Sequence, residues 1–194
     1  MSRLSIVLAV LSTALFFAAP AAASPKITIS SPLLQMARPG GWIPVYVDLA
    51  ATDPVDGAIT VRFAGGDDNA PAVRAFDVAR GGQRRIVVPK RVPAWGYNLE
   101  VTVRDGRGRV LKEDSTEVRA GAMSPEALRV VVVGDDPLGW PTLQTVTRGP
   151  VIGHPDLAQA DFRPVLVENL LPPDLPTHWF GWSSVDVLVW PRPD

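Results

Sequence analysis

Few side chains in this sequence could carry out chemistry. His154 and His178 are the whole supply of imidazole, the group that usually serves acid–base work near neutral pH. His154 stands in Gly153-His154-Pro155, a loop-forming triplet, and His178 lies beside Trp179, where packing near a helix start is expected rather than a role as base. Two carboxylates, Asp135 and Asp136, directly follow an apolar run. Carboxylates in that place can hold Mg²⁺, but a metal site needs further oxygen ligands that the chain does not clearly supply. Helix capping and loop hydrogen bonds are the expectation for this pair. The absence of cysteine removes thiolate nucleophiles, thiolate metal sites and disulfides. No Gly-x-Ser-x-Gly elbow presents a serine. No Gly-x-Gly-x-x-Gly or Walker loop follows the apolar run, and Gly134-Asp135-Asp136-Pro137 would repel a phosphate. The sequence therefore predicts no catalytic, cofactor-binding or metal-binding residue, and a protein that is not an enzyme.

Other charged and aromatic groups could be taken for sites. Arg84, Arg85, Lys90 and Arg91 form a basic cluster, but strand alternation divides it between faces and turns. That pattern predicts a charged, solvated edge rather than a nucleic-acid contact. The formal net charge of −1 gives no electrostatic case for nucleic acid or an anionic membrane. Asp67-Asp68-Asn69 lacks the spaced ligands of a calcium loop and reads as a hairpin tip. Trp42 and Trp95 lie near prolines at strand entrances, where tryptophans plug the end of a sandwich or, if exposed, stack on a sugar. The exposure of Trp42, Trp95, Trp140 and Trp182 separates these two uses.

The elements that must position these groups begin with an address. Residues 1–23 carry Arg3, an apolar run over 4–19, a break at Pro20 and the small triplet Ala21-Ala22-Ala23. This is the three-part pattern of a secretory signal, with cleavage after Ala23. The run is shorter than the ~20 residues that cross a bilayer. Export to the periplasm or cell envelope is the expected destination.

Residues 25–118 alternate apolar and polar. Ile43, Val45, Val47 and Leu49 form one row, and Ile59, Val61 and Phe63 form the next. Phe76 with Val78, Ile86 with Val88, and Leu99, Val101 and Val103 continue it, with 26–30 before them and a possible strand at Val110. Glycine, proline and aspartate punctuate the rows at 39–41, 53–54, 65–69, 81–82 and 105–108. About seven strands over roughly a hundred residues predict an antiparallel, immunoglobulin-like β-sandwich. A small-residue linker follows over 119–127. Residues 128–136 (LRVVVVGDD) then read as a strand buried on both faces, broken only by Arg129. Short helical turns are expected within 137–146 and 177–184, with further strands at 164–168 and 185–190. The fold class expected is β + α/β: a signal peptide, the sandwich, and over 128–194 a partial Rossmann- or flavodoxin-like three-layer unit with a short parallel sheet.

The segments 39–49 (PGGWIPVYVDL), 103–111 (VRDGRGRVL) and 131–134 (VVVG), with the GWSSVDVLVW stretch at 181–190, carry a resemblance. The chain resembles exported or membrane-anchored bacterial proteins that join an immunoglobulin-like domain to a class I glutamine amidotransferase-like domain. The resemblance implies that the chain is an N-terminal fragment of a larger membrane-associated protein. It does not bring glutaminase activity, because no residue can stand for that family's cysteine. The expected function is an exported, non-catalytic envelope scaffold or interaction module with protein partners, without nucleic acid, small-molecule ligand or cofactor. Two alternatives are part of an enzyme whose site is completed by other residues, with Asp135 or Asp136 contributing, and a carbohydrate-binding envelope protein.

Overall fold

The computed structural model describes residues 24–65, 70–94, 98–118, 126–134, 139 and 165–190, and ten strands run through them. The first seven are β1 (Lys26–Ser30), β2 (Trp42–Ala50), β3 (Val55–Ala64), β4 (Ala72–Val78), β5 (Gln83–Arg91), β6 (Asn98–Asp105) and β7 (Val110–Glu117). They form two antiparallel sheets, ordered β1-β2-β5 and β4-β3-β6-β7. Period-two alternation places every second side chain of a strand on the same face. The rows Ile43–Leu49, Ile59–Phe63 and Leu99–Val103, with Phe76, Val78, Ile86 and Val88, accordingly share one buried core. Cross-strand register keeps like with like: Val45 stands opposite Val88, and Val47 opposite Ile86. Gly57 lets β3 and β6 approach closely, since a Cβ there would collide with the Arg104 carbonyl oxygen.

Three more strands follow, β8 (Leu128–Val133), β9 (Val165–Leu170) and β10 (Val187–Val189). All pairings are parallel, in the order β10-β8-β9. Valines of β8 fill both faces. Val131 and Val133 pack with Leu170 and with Leu33 and Met36, which lie between β1 and β2. Val130 and Val132 pack with Val167 on the other face. Full burial of each valine is worth about 1.5–3 kcal/mol, so this strand anchors its surroundings. Gly134 turns the chain at the end of β8 with φ at 128°, a conformation that disfavours any side chain. Its N–H donates to the Leu170 carbonyl, and the Asn169 side chain donates back to the Gly134 carbonyl.

The structure corrects the expected fold class. Strand accounts for 57% of it, there is no α-helix among the described residues, and no helix-covered Rossmann- or flavodoxin-like unit is present. The short helix expected over 177–184 is a 3-10 turn at Trp179–Trp182, preceded by another at Pro172–Asp174. Pro172 and Pro173 keep the first of these turns short, because proline lacks the N–H that an interior helical position donates. Cover for one face of the parallel sheet comes instead from the sandwich, through Leu33 and Met36. The third strand is also not buried as expected: β10 is a sheet edge, with Val187 and Leu188 exposed. Residues 1–23, most of the linker and the expected turns at 137–146 lie outside the described residues.

Candidate functional site

The most densely bonded polar cluster joins the sandwich to the parallel sheet. It starts from Arg129, the one charged residue in the β8 run. Alternation puts Arg129 on the same face as Val131 and Val133, so it enters the joint and is 0% exposed. A buried guanidinium must find acceptors. Arg129 donates to the carbonyls of Met36 (2.8 Å), Ala127 (2.7 Å) and Ala37 (3.3 Å). Two of these close the 3-10 turn Leu34–Met36 that carries the apolar anchor.

Asp186, just before β10, binds the same joint from the other side. Its carboxylate accepts both short bonds from Arg38 Nη2, at 2.7 and 2.8 Å, and the Arg129 N–H at 3.0 Å. Burial alone would raise the Asp186 pKa, but the Arg129 N–H, the Arg38 bonds and the charges of both arginines outweigh it. The carboxyl is held below its ordinary value. Arg129 is itself pushed down by burial and by the Arg38 charge, with Asp186 acting in opposition. Ser184 Oγ accepts the Arg38 N–H, while Ser183 Oγ accepts from the Trp42 N–H and donates to the Trp42 carbonyl. A Cβ at Gly41 would meet Ser184 Oγ at 2.9 Å, so the two segments touch there. Apart from the buried Arg38 Nε, which has no hydrogen-bond partner among the described residues, the side chains of this cluster hold backbone or a counter-charge, which makes it a joint.

The groups singled out from sequence are not brought together. Asp135, Asp136, His154, Trp95, Trp140 and Asp67-Asp68-Asn69 lie outside the described residues. His178 is exposed, with Nδ1 3.0 Å from Thr177 Oγ1 and its ring stacked on Phe180 at 5.2 Å. Trp182 is half-buried and donates its indole N–H to the Pro176 carbonyl. Among the described residues no group of three histidine or acidic side chains stands close enough to hold a metal. The basic cluster is divided between faces and turns. Arg85 forks onto Asp48 and lies 5.3 Å over the Tyr46 ring, whereas Lys90 is buried and donates to the Ala70 carbonyl. Lys90 is thus part of the interior and not of a solvated edge.

A cavity of about 590 Å³ at one end of the sandwich is lined by Asp53, Asp56, Asp105 and Arg109. Asp105 there is committed to its own turn. Burial would raise its pKa, but the N–H groups of Arg109 and Arg107 and the Arg109 side chain together lower it. Sequence reasoning missed Arg129, Arg38 and Asp186. One signal was available: a lone arginine in a fully apolar strand must be buried and paired. It also missed Trp179, which is 80% exposed.

No protein-family model and no curated protein matches the chain. Among solved structures it is similar to the alkylpurine DNA glycosylase AlkC of Pseudomonas fluorescens, at 20% identity and a TM-score of 0.36, over 52% of this chain and 32% of that one. It is similar to alpha-2-macroglobulin from Escherichia coli at 17% identity and a TM-score of 0.37, over 50% of this chain and 17% of that one. The sulfur carrier protein SoxY from Chlorobium limicola gives 23% identity and a TM-score of 0.34, over 59% and 96%. The chain thus spans less than a third of the first two proteins' length, and TM-scores this low assign neither fold nor activity.

Proposed function

We propose that this protein is an exported, non-catalytic scaffold or interaction module of the cell envelope. The observation that carries this reading is the Arg38–Asp186–Arg129 cluster. The best-organised charges of the chain are spent on holding a sandwich and a small parallel sheet as one body. Such an arrangement suits a part that must keep a fixed shape while other proteins bind it. The β10 edge supports the same reading, because it presents Val187, Leu188 and a Trp190 that is 60% exposed. Edges with apolar side chains pair readily with other chains. The signal-like pattern of residues 1–23 supports export.

The test is fractionation of a secretion-competent bacterium expressing the full chain, followed by N-terminal sequencing and an assay of the purified protein on glutamine. The expected result is protein outside the cytoplasm that begins near Ser24 and is inert. An intact Met1 in the membrane fraction, or glutamine turnover lost on changing Asp135 or Asp136, would overturn the reading.

A further inference from the structure

Away from the joint, the open side of the sandwich carries a cleft that none of the preceding roles uses. Edge strands β4 and β5, from opposite sheets, lie side by side there, and the 3-10 turn Trp179–Trp182 reaches over β5. The cavity between them, about 290 Å³, is lined by Arg74, Arg84, Arg85, His178 and Phe180 and by no carboxylate. A second cavity of about 430 Å³ shares Arg84 and Arg85 and adds Lys26, Thr28 and Gln83, with one carboxylate, Asp48, which Arg85 neutralises. The two adjoin at Arg84 and Arg85, along the β5 edge, and are treated as one groove.

We propose that this groove binds an acidic saccharide. Three features of the groove carry the assignment. The first is charge. Arg85 is committed to Asp48, and Arg84 gives only Nη1 to Asp77. Arg74 and Lys26 make no ion pair among the described residues and stand one at each cavity. Spaced guanidinium and ammonium groups suit anionic substituents on successive sugar units. The second is the aromatic surface. His178 stacks on Phe180, Trp179 stands edge-on to Phe180 at 6.2 Å, and Trp179 is 80% exposed. Trp179 lies beside the cavity-lining His178 and Phe180 rather than in the cavity, and exposed aromatic rings offer an apolar face that the C–H face of a pyranose ring can cover. The third is that Thr28 and Gln83 supply neutral hydrogen-bonding groups between the charges, as hydroxyls require. A polynucleotide fits less well, since its affinity depends on many phosphate contacts and the chain as a whole is at −1. The anionic substituent can be carboxylate or phosphate.

Isothermal titration of the purified protein at low salt tests this, with octagalacturonate, a phosphorylated oligomannoside and fully methyl-esterified octagalacturonate as probes. The expected result is saturable binding of at least one charged probe and none of the ester, with affinity falling as salt is added. Whichever charged probe binds more tightly identifies the substituent. Arg74→Gln and Trp179→Ala, both at exposed positions, should each weaken binding about tenfold or more with the melting temperature unchanged. Arg62→Gln, on the far sheet and paired to Glu100, should leave binding intact. Absence of binding to both charged probes, equal binding of the ester, indifference to R74Q and W179A, or tighter binding of a single-stranded oligonucleotide or an acidic peptide would each overturn the assignment. None of these outcomes depends on where the protein resides in the cell, so they are separate from the test of export.

Discussion

Replacing Arg129 with methionine isolates what the buried guanidinium does at the joint. Methionine keeps an unbranched apolar stem of comparable reach, so little cavity is opened. Asp186 loses no side-chain partner, since it keeps both bonds from Arg38 and the main-chain N–H of residue 129. The loss falls on the carbonyls of Met36 and Ala127, at 2.8 and 2.7 Å, and less on Ala37 at 3.3 Å. A hydrogen bond from a charged donor contributes about 1.5 kcal/mol net at the low end, so the two short bonds together give roughly 3 kcal/mol. Relief of the guanidinium's burial and of the Arg38 repulsion opposes this, which is why the low end applies. With a urea slope of about 2 kcal/mol/M, the midpoint should fall by roughly 1.5 M. Arg129→Lys should fall between the two, because a single ammonium cannot span carbonyls that a planar fork reaches. Urea titrations followed by tryptophan fluorescence and far-ultraviolet circular dichroism read both values. A variant R129M that unfolds at or above the wild-type midpoint would refute the reasoning, because burial of the charge would then cost more than its bonds return.

Three other outcomes follow from single atoms. Asp186 is depressed in the folded state, so its contribution to stability is present above the ordinary carboxylate value of about 3.9 and is lost as pH falls through the lower folded value. The stability difference between wild type and Asp186→Asn should therefore be constant above about pH 5 and shrink toward pH 2, and a difference independent of pH would contradict the assignment. The Tyr46 hydroxyl is buried without a hydrogen-bond partner among the described residues, while its ring keeps the Arg85 contact, so Tyr46→Phe should be neutral or stabilising by up to about 1 kcal/mol in the same titration. A loss of more than that would reveal an acceptor for the hydroxyl. Gly57→Ala should destabilise by about 3 kcal/mol or more, because its Cβ collides with the Arg104 carbonyl oxygen and both strands must shift; a melting temperature unchanged by G57A would contradict that close approach.

Residues with strict alternation were legible. Ile43, Val45, Val47 and Leu49 lie in the core as their spacing requires, because a strand offers only two faces and water selects one. The run at 130–133 was legible for a related reason, since valines on both faces require cover on both. What covers them was not legible. An apolar strand specifies that its faces be buried and is silent on whether a helix or a neighbouring loop does so, and here Leu33 and Met36 act where a helix was expected. The joint was hidden for a different reason. Arg38, Arg129 and Asp186 are far apart in sequence, and no spacing rule connects residues that meet only after two sheets have docked. Trp179 was not singled out, because nothing in its sequence neighbourhood distinguishes an exposed ring from a packed one, and only the fold shows its ring outside.

If this polar cluster holds the sandwich and the parallel sheet together as one body, its loss must loosen one and spare the other. Native-state hydrogen exchange on wild type and Asp186→Ala tests it most directly, through the amides of Val130–Val132 in β8 and Val45–Val47 in β2. In the wild type both sets should be slow, as expected of buried strands in one cooperative unit. In D186A the β8 amides should exchange faster while the β2 amides keep their protection, because the joint opens and the sandwich core stays closed. Unchanged protection of Val130–Val132 in D186A would contradict the claim.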